Sequence, residues 1–284
     1  MNIGLTLPFA YLAGIADSSD AGLLSLAFGK PDDCLRALRD HGVSSIEVGG
    51  TVGPACSGEA LLLVAKKLAD IGLRMSLHNQ LIEGERKRAF SQDYASLIPA
   101  LEFMGSREPV IVVMHAATDA HAELEALVAR TAVTLARLSE SIRVEGVPVL
   151  IALELTRDHG ITSPGTTYDN LCAIAKRVQP YAQKFCWDLG HAWSNVSRHK
   201  LISTPPLDFI ENVIHTHIHA MSDTGKTHWP LSENQAPLAN YIRQLHSRGY
   251  QGAYNLELYP SRWAKMNIRD KILGSVMTLQ RYLV

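Results

Sequence analysis

Short apolar runs, each too brief for a helix, recur eight times along the chain, at residues 2–7, 45–48, 74–77, 109–114, 148–155, 185–188, 213–219 and 253–258. Between them the apolar spacing turns helical, over 32–41, 59–71, 93–104, 119–144, 167–178, 207–212, 238–248 and 266–282. Asp, Ser or Thr tends to precede these stretches, and Gly42, Gly72, Gly105 and Gly249 stop four of them, as unsatisfied helix ends require. Runs such as VIVV and VLIAL lack polar alternation, the pattern of parallel strands covered by helices on both faces. Strict alternation of strand and helix predicts an α/β fold, a single (β/α)8 TIM barrel spanning residues 1–284. A doubly wound sheet would place a Gly-rich turn after the first strand, and none stands there. No Pro-, Ser- or Gly-rich linker divides the chain.

Composition agrees with one large core: 46% of the 284 residues are hydrophobic, which excludes disorder as the dominant state. The balance of 27 Lys and Arg against 28 Asp and Glu gives no global footprint for nucleic acid. Cys34, Cys56, Cys172 and Cys186 form no C-x-x-C pair and read as reduced thiols of a cytoplasmic protein. The apolar N-terminus has no Lys or Arg ahead of it, so no secretory signal is expected. No apolar run approaches the roughly 20 residues that span a bilayer. If the chain is a soluble enzyme, a homo-oligomer is the default expectation.

In a barrel, side chains at the C-terminal strand ends converge on one mouth. Strand three ends in SLHNQ with His78, strand four in VVMHAAT with His115 and strand five in LIALELT with Glu154. Strand six ends in CWDLGH with Asp188 and His191, strand seven in HTHIHA with His215, His217 and His219, and strand eight in NLEL with Glu257. A single histidine in such a place is more often a hydrogen-bonded structural residue than a ligand. Successive strands each delivering an imidazole or a carboxylate reverse that expectation. Glu154 and Glu257 stand inside otherwise apolar strands, where an unpaired carboxylate costs several kcal/mol, and one divalent metal would compensate both. Residues 220–227 (AMSDTGKT) match a loosened phosphate-loop pattern, but His228-Trp229-Pro230 follows in place of a helix, so the aligned N–H donors are missing.

These residues resemble the xylose isomerase-like barrel superfamily, which includes endonuclease IV, D-tagatose 3-epimerase relatives and dehydratases, over essentially the whole chain. The resemblance implies a metal held by Glu154, Asp188, His217 and Glu257, with the family's D-x-x-H element standing in WDLGH. His215, His217 and His219 share one face of a period-two strand. His217 is taken as the ligand by similarity, with His219 nearer the mouth and facing substrate, and His215 deeper as a core residue. His78 and His115 match a histidine pair that holds a further zinc in endonuclease IV, and are candidates for a second metal or for substrate. His191 and His228 match part of another zinc site there, but Lys226 stands where its Asp would be, and HAAT and LELT replace the nuclease signatures.

A carboxylate and imidazole set without thiolate suits Mn, Mg, Zn or Co. By resemblance, Glu154 and Glu257 would also move protons, while His191, His219, Lys226 and His228 would meet the substrate. Trp187, Trp193 and Trp229 would wall it from water. The expectation is a metal-dependent isomerase or epimerase acting on a small carbohydrate-like molecule, a sugar or related polyol-ketone. The alternatives are a dehydratase on the same scaffold, an abasic-site DNA endonuclease, and a silent ligand-binding barrel. The loops at 8–30 and 157–168 set the substrate, with Arg157 and Lys226 as candidate contacts for a phosphate or carboxylate on it.

Overall fold

The computed structural model describes residues 2–15, 19–51, 56–81, 89–106, 108–233 and 235–283. Its strands are β1 (Ile3–Pro8), β2 (Val43–Gly49), β3 (Arg74–Asn79), β4 (Val110–Met114), β5 (Val149–Glu154), β6 (Lys184–Asp188), β7 (Val213–Ile218) and β8 (Ala253–Leu256). They pair in chain order into a closed barrel, which the β1–β8 ladder from Ile3↔Tyr254 to Leu5↔Leu256 completes. Each expected apolar run is a strand, and all the pairings are parallel.

The period of two sorts each strand into an outward side chain under the helices and an inward one. On β6, Phe185 and Trp187 face outward and pack with Phe209, Tyr168 and Tyr241. Trp187 is therefore part of the barrel–helix core rather than a wall of the site, because its neighbour Asp188 points inward. Inside the barrel a small apolar cluster of Val113, Ala152 and Cys186 gives way toward the mouth to polar groups.

The helices depart from the sequence expectation in three places. The stretch at 93–104 is two helices, Phe90–Asp93 and Ile98–Met104, because Pro99 lacks the N–H that a continuous helix would need and starts a new one instead. The loop expected at 8–30 contains helices Phe9–Leu12 and Ser19–Phe28. An unanticipated helix, Leu189–Ser197, begins directly at the end of β6, where Asp188 Oδ1 accepts the His191 N–H at 2.7 Å and caps it. Among the described residues, no helix is long and apolar enough to cross a membrane.

Two glycines let backbone approach the interior side chains. A Cβ at Gly190 would lie 2.1 Å from His219 Cε1, and one at Gly4 would lie 2.5 Å from Asn255 Oδ1. Both neighbours are buried in the polar interior, so neither can retreat cheaply.

A candidate metal centre at the barrel mouth

The site rests on a buried polar floor. Glu47, inward on β2 and fully buried, lies 2.9 Å from His215 Nε2 and 3.0 Å from His217 Nε2. Thr6 Oγ1 donates to Glu47 Oε1 at 2.9 Å, and Asn255 Nδ2 donates to Thr6 Oγ1 at 2.8 Å. Burial pushes the Glu47 carboxyl up, but His217, His215 and His78 outweigh it and hold the group well below the ordinary carboxylate range. His215 is the deep residue that the strand period implies. Glu47 was not among the sequence candidates, although SIEVGG sets a carboxylate inside an apolar run just as LIALELT does.

His217 links this floor to the layer above. Its Nε2 is engaged by Glu47, and its Nδ1 faces Glu257 Oε2 at 3.4 Å, Glu154 Oε1 at 3.5 Å and Asp188 Oδ2 at 4.0 Å. None of these four atoms is hydrogen-bonded to another of the four, although all are buried. Polar atoms that crowd together without bonding one another point at a common centre. A carboxylate behind the imidazole, fixing its far nitrogen, is the usual arrangement behind a metal-bound histidine. The four sequence-predicted ligands thus converge, and their chemistry fits a divalent cation.

Above Glu154 sits a second convergence. His115 Nε2 and His78 Nε2 lie 2.9 and 3.3 Å from Glu154 Oε2 and 3.0 Å from each other. His78 turns its Nδ1 toward Glu47 at 3.7 Å and Glu257 at 3.6 Å, so it touches both layers. His191 Nδ1 lies 2.8 Å from Asp188 Oδ2 and 3.5 Å from Glu154 Oε1, and its Nε2 is buried without a partner.

Three sequence candidates remain, His219, His228 and Lys226. His219 is fully buried against Gly190, with Nε2 3.2 Å from Asp188 Oδ1 and the His228 N–H donating to its Nδ1 at 3.0 Å. His228, at a positive φ of 59°, stacks on Tyr259 and directs Nε2 toward Glu257 Oε2 at 3.3 Å. Both histidines therefore back the candidate ligand carboxylates. Burial and the nearby His219 push His228 down to about 4, so it stays neutral. Lys226 is exposed in the turn that Ser222 and Lys226 close by backbone bonds, next to the Ala220–Trp229 bridge, and no helix follows. Tyr259, which sequence reasoning missed, donates from its hydroxyl to Glu257 Oε1 at 2.9 Å.

A cavity of about 400 Å³ opens onto this cluster, lined by Thr6, Gly49, His78, His115, Glu257 and Tyr259 among others. That is room for a small polar molecule. A larger groove of about 760 Å³, which includes Trp193, lies on the outside between helices Leu189–Ser197 and Ala236–Ser247 and holds none of the candidate ligands.

The family model of the xylose isomerase-like TIM barrel matches residues 35–275. No curated protein matches the sequence. Among solved structures, a D-tagatose 3-epimerase-like protein superposes with a TM-score of 0.65 at 17% identity, covering 100% of this chain and 97% of that one. An L-ribulose 3-epimerase gives 0.60 at 17% identity over 100% and 95%. The IOLI protein, whose structure has a zinc atom, gives 0.62 at 15% identity over 98% and 97%.

Two outcomes follow from the geometry. Glu47→Gln should weaken binding of a divalent ion about 10- to 100-fold without removing a ligand, as a metal-binding titration would read; unchanged affinity would deny Glu47 its orienting part. The second concerns pH. Against the opposing effect of burial, Cys186 and the neighbouring carboxylates raise His217 well above 6.5, and carboxylate partners raise His78 well above 6.5 and His191 to about 10. Histidine partners likewise outweigh burial at Glu47, Glu154 and Glu257 and hold them well below 4.5. Raised histidines stabilise below 6.5 and lose that contribution as pH climbs through their folded values, whereas depressed carboxylates stabilise above 4.5 and lose it on acidification. The metal-free chain should thus be most stable between those limits, and its thermal midpoint should fall from about pH 6 to about pH 9. Added divalent ion should remove the alkaline loss; a metal-free midpoint flat over that range would contradict this assignment.

Proposed function

This chain belongs to the xylose isomerase-like TIM barrel family, and on that premise we propose that it is a divalent-metal-dependent isomerase or epimerase of a sugar or related polyol-ketone. The observation that carries the proposal is the set of buried atoms on Glu154, Asp188, His217 and Glu257 that face one another at the mouth without bonding one another. A divalent ion held by these residues supplies a Lewis acid that polarises a carbonyl or neighbouring hydroxyl and acidifies the adjoining C–H.

The chain's own groups supply the rest. Glu154 and Glu257 are the carboxylates that take a proton from the carbon beside the carbonyl and return it, and both are held ionised by their histidine neighbours. Tyr259 fixes one oxygen of Glu257, leaving the other, Oε2, toward the cluster. His191 Nε2, buried and unpartnered, holds a substrate hydroxyl. The epimerase structures that share this fold support a carbohydrate substrate, and the structure of the IOLI protein with zinc supports a metal.

A second ion on His78, His115 and Glu154 is the reading favoured by their mutual spacing. It would bring the site nearer to a phosphodiester-cleaving centre, but the balanced charge of the chain argues against a nucleic-acid substrate. A dehydratase would share the same proton abstraction and differ in losing a hydroxyl.

The test is proton exchange. Metal-loaded protein incubated with ketoses in heavy water should place deuterium on the carbon beside the carbonyl, and a chelator should abolish the exchange. Glu257→Gln should lower the rate by about 10²- to 10⁴-fold with the metal still present by elemental analysis. Full turnover by a metal-loaded Glu257→Gln protein would remove Glu257 from the proton transfer.

A further inference from the structure

Beside the metal ligands three arginines gather from three different segments of the mouth. Arg157 follows β5, Arg198 ends the helix after β6, and Arg262 lies in the turn after β8. Arg157 Nη1 reaches Thr227 Oγ1 at 3.5 Å, and Arg262 Nη1 donates to the same oxygen at 2.9 Å and to Thr227 O at 3.0 Å. Arg198 Nη2 donates to Asn195 Oδ1 at 3.0 Å, and the same Asn195 oxygen accepts the Asp158 N–H at 3.0 Å. Asn195, fully buried, also donates to Thr156 O and Thr166 O, so one side chain anchors both the Arg157 loop and Arg198. Arg262 is further fixed over the ring of Tyr259, 5.2 Å from its centroid.

All these partners are neutral. Among the described residues no carboxylate pairs with any of the three guanidiniums. Asp158, the acid next in sequence, turns one oxygen to its own loop at Gly160 N and the other toward Lys200. Arg157 Nε is buried without a partner. The crowding is felt electrostatically: burial, then Arg198 and Arg262, push Arg157 down, and burial, Arg157, His191, Arg198 and Arg262 push His159 down. Like charges held together by buried anchors oppose folding unless something else benefits. Guanidinium groups match the planar and tetrahedral oxyanions they bind through paired N–H donors.

The position relative to the metal ligands is equally specific. Thr227 Oγ1, which two of the arginines share, is 3.0 Å from His228 Nδ1, and His228 Nε2 is 3.3 Å from Glu257 Oε2. One imidazole thus separates the arginines from a proposed proton-transfer carboxylate, a span that a chain of a few carbons covers. We propose that Arg157, Arg198 and Arg262 form an oxyanion subsite, and that the substrate is an acidic carbohydrate carrying a carboxylate or a phosphate at the end remote from its carbonyl. The substrate class rests on the isomerase reading; the subsite itself does not.

Two arms test it. In the first, inorganic phosphate is titrated calorimetrically into the metal-loaded wild type and into Arg157→Gln and Arg262→Gln, each checked for an unchanged melting profile without phosphate. Saturable binding weakened about tenfold or more in both variants is expected. Absence of binding, or binding equal in all three proteins, overturns the subsite, since phosphate resting on the metal alone would ignore the arginines. In the second arm, heavy-water exchange compares a neutral ketohexose, its 6-phosphate and a ketohexonate. One acid should exceed the neutral sugar by about 100-fold or more in kcat/KM, and which acid does so separates phosphate from carboxylate. Equal use of the neutral sugar overturns the substrate class. Exchange from none of the three contradicts the isomerase reading, and the calorimetric arm then still decides the subsite.

Discussion

Burying Glu47, Glu154, Asp188 and Glu257 inside one barrel is the constraint on which the rest of this structure depends. Each is fully or almost fully withdrawn from water, and an ionised carboxylate so placed costs several kcal/mol unless positive charge or hydrogen bonds compensate it. The chain answers in two tiers. The lower tier is closed: Glu47 is surrounded by His215, His217 and Thr6, and Asn255 holds Thr6 in turn. The upper tier stays open, with Glu154, Asp188 and Glu257 turned toward a ring nitrogen that does not bond them.

His217 is the joint between the tiers. Its two nitrogens belong to different environments, one committed to Glu47 and the other presented upward. The closed tier thereby sets the orientation of the open one, and a change at Glu47 is felt at the mouth without altering any group there. His219 and His228 do for Asp188 and Glu257 what Glu47 does for His217, and Gly190 is small so that the His219 ring can lie against it. This supporting layer gives the site its rigidity.

Much of this was legible in the residues because the barrel turns chain order into spatial order. Eight apolar runs became eight strands, and the anomaly of Glu154 and Glu257 in apolar surroundings marked them before any geometry. The same anomaly stands at Glu47, in a shorter apolar run. The period of two puts Trp187 opposite Asp188, under the helices rather than at the mouth. What the residues could not convey was the path of the chain between Ala220 and Trp229. There the left-handed backbone of His228 and the Ala220–Trp229 bridge fold the segment back, directing His228 to Glu257 and leaving Lys226 exposed. The arginine cluster was hidden for a similar reason. Its members are 41 and 64 residues apart in sequence and meet only because Asn195 and Thr227 hold their loops.

The most direct measurement of the central claim is anomalous diffraction from crystals of the protein loaded with manganese. A manganese peak is expected within bonding reach of Glu154, Asp188, His217 and Glu257, with His217 bound through Nδ1 while its Nε2 stays on Glu47. Crystals loaded with manganese that show no peak there, or show His217 turned away from Glu47, would contradict that claim.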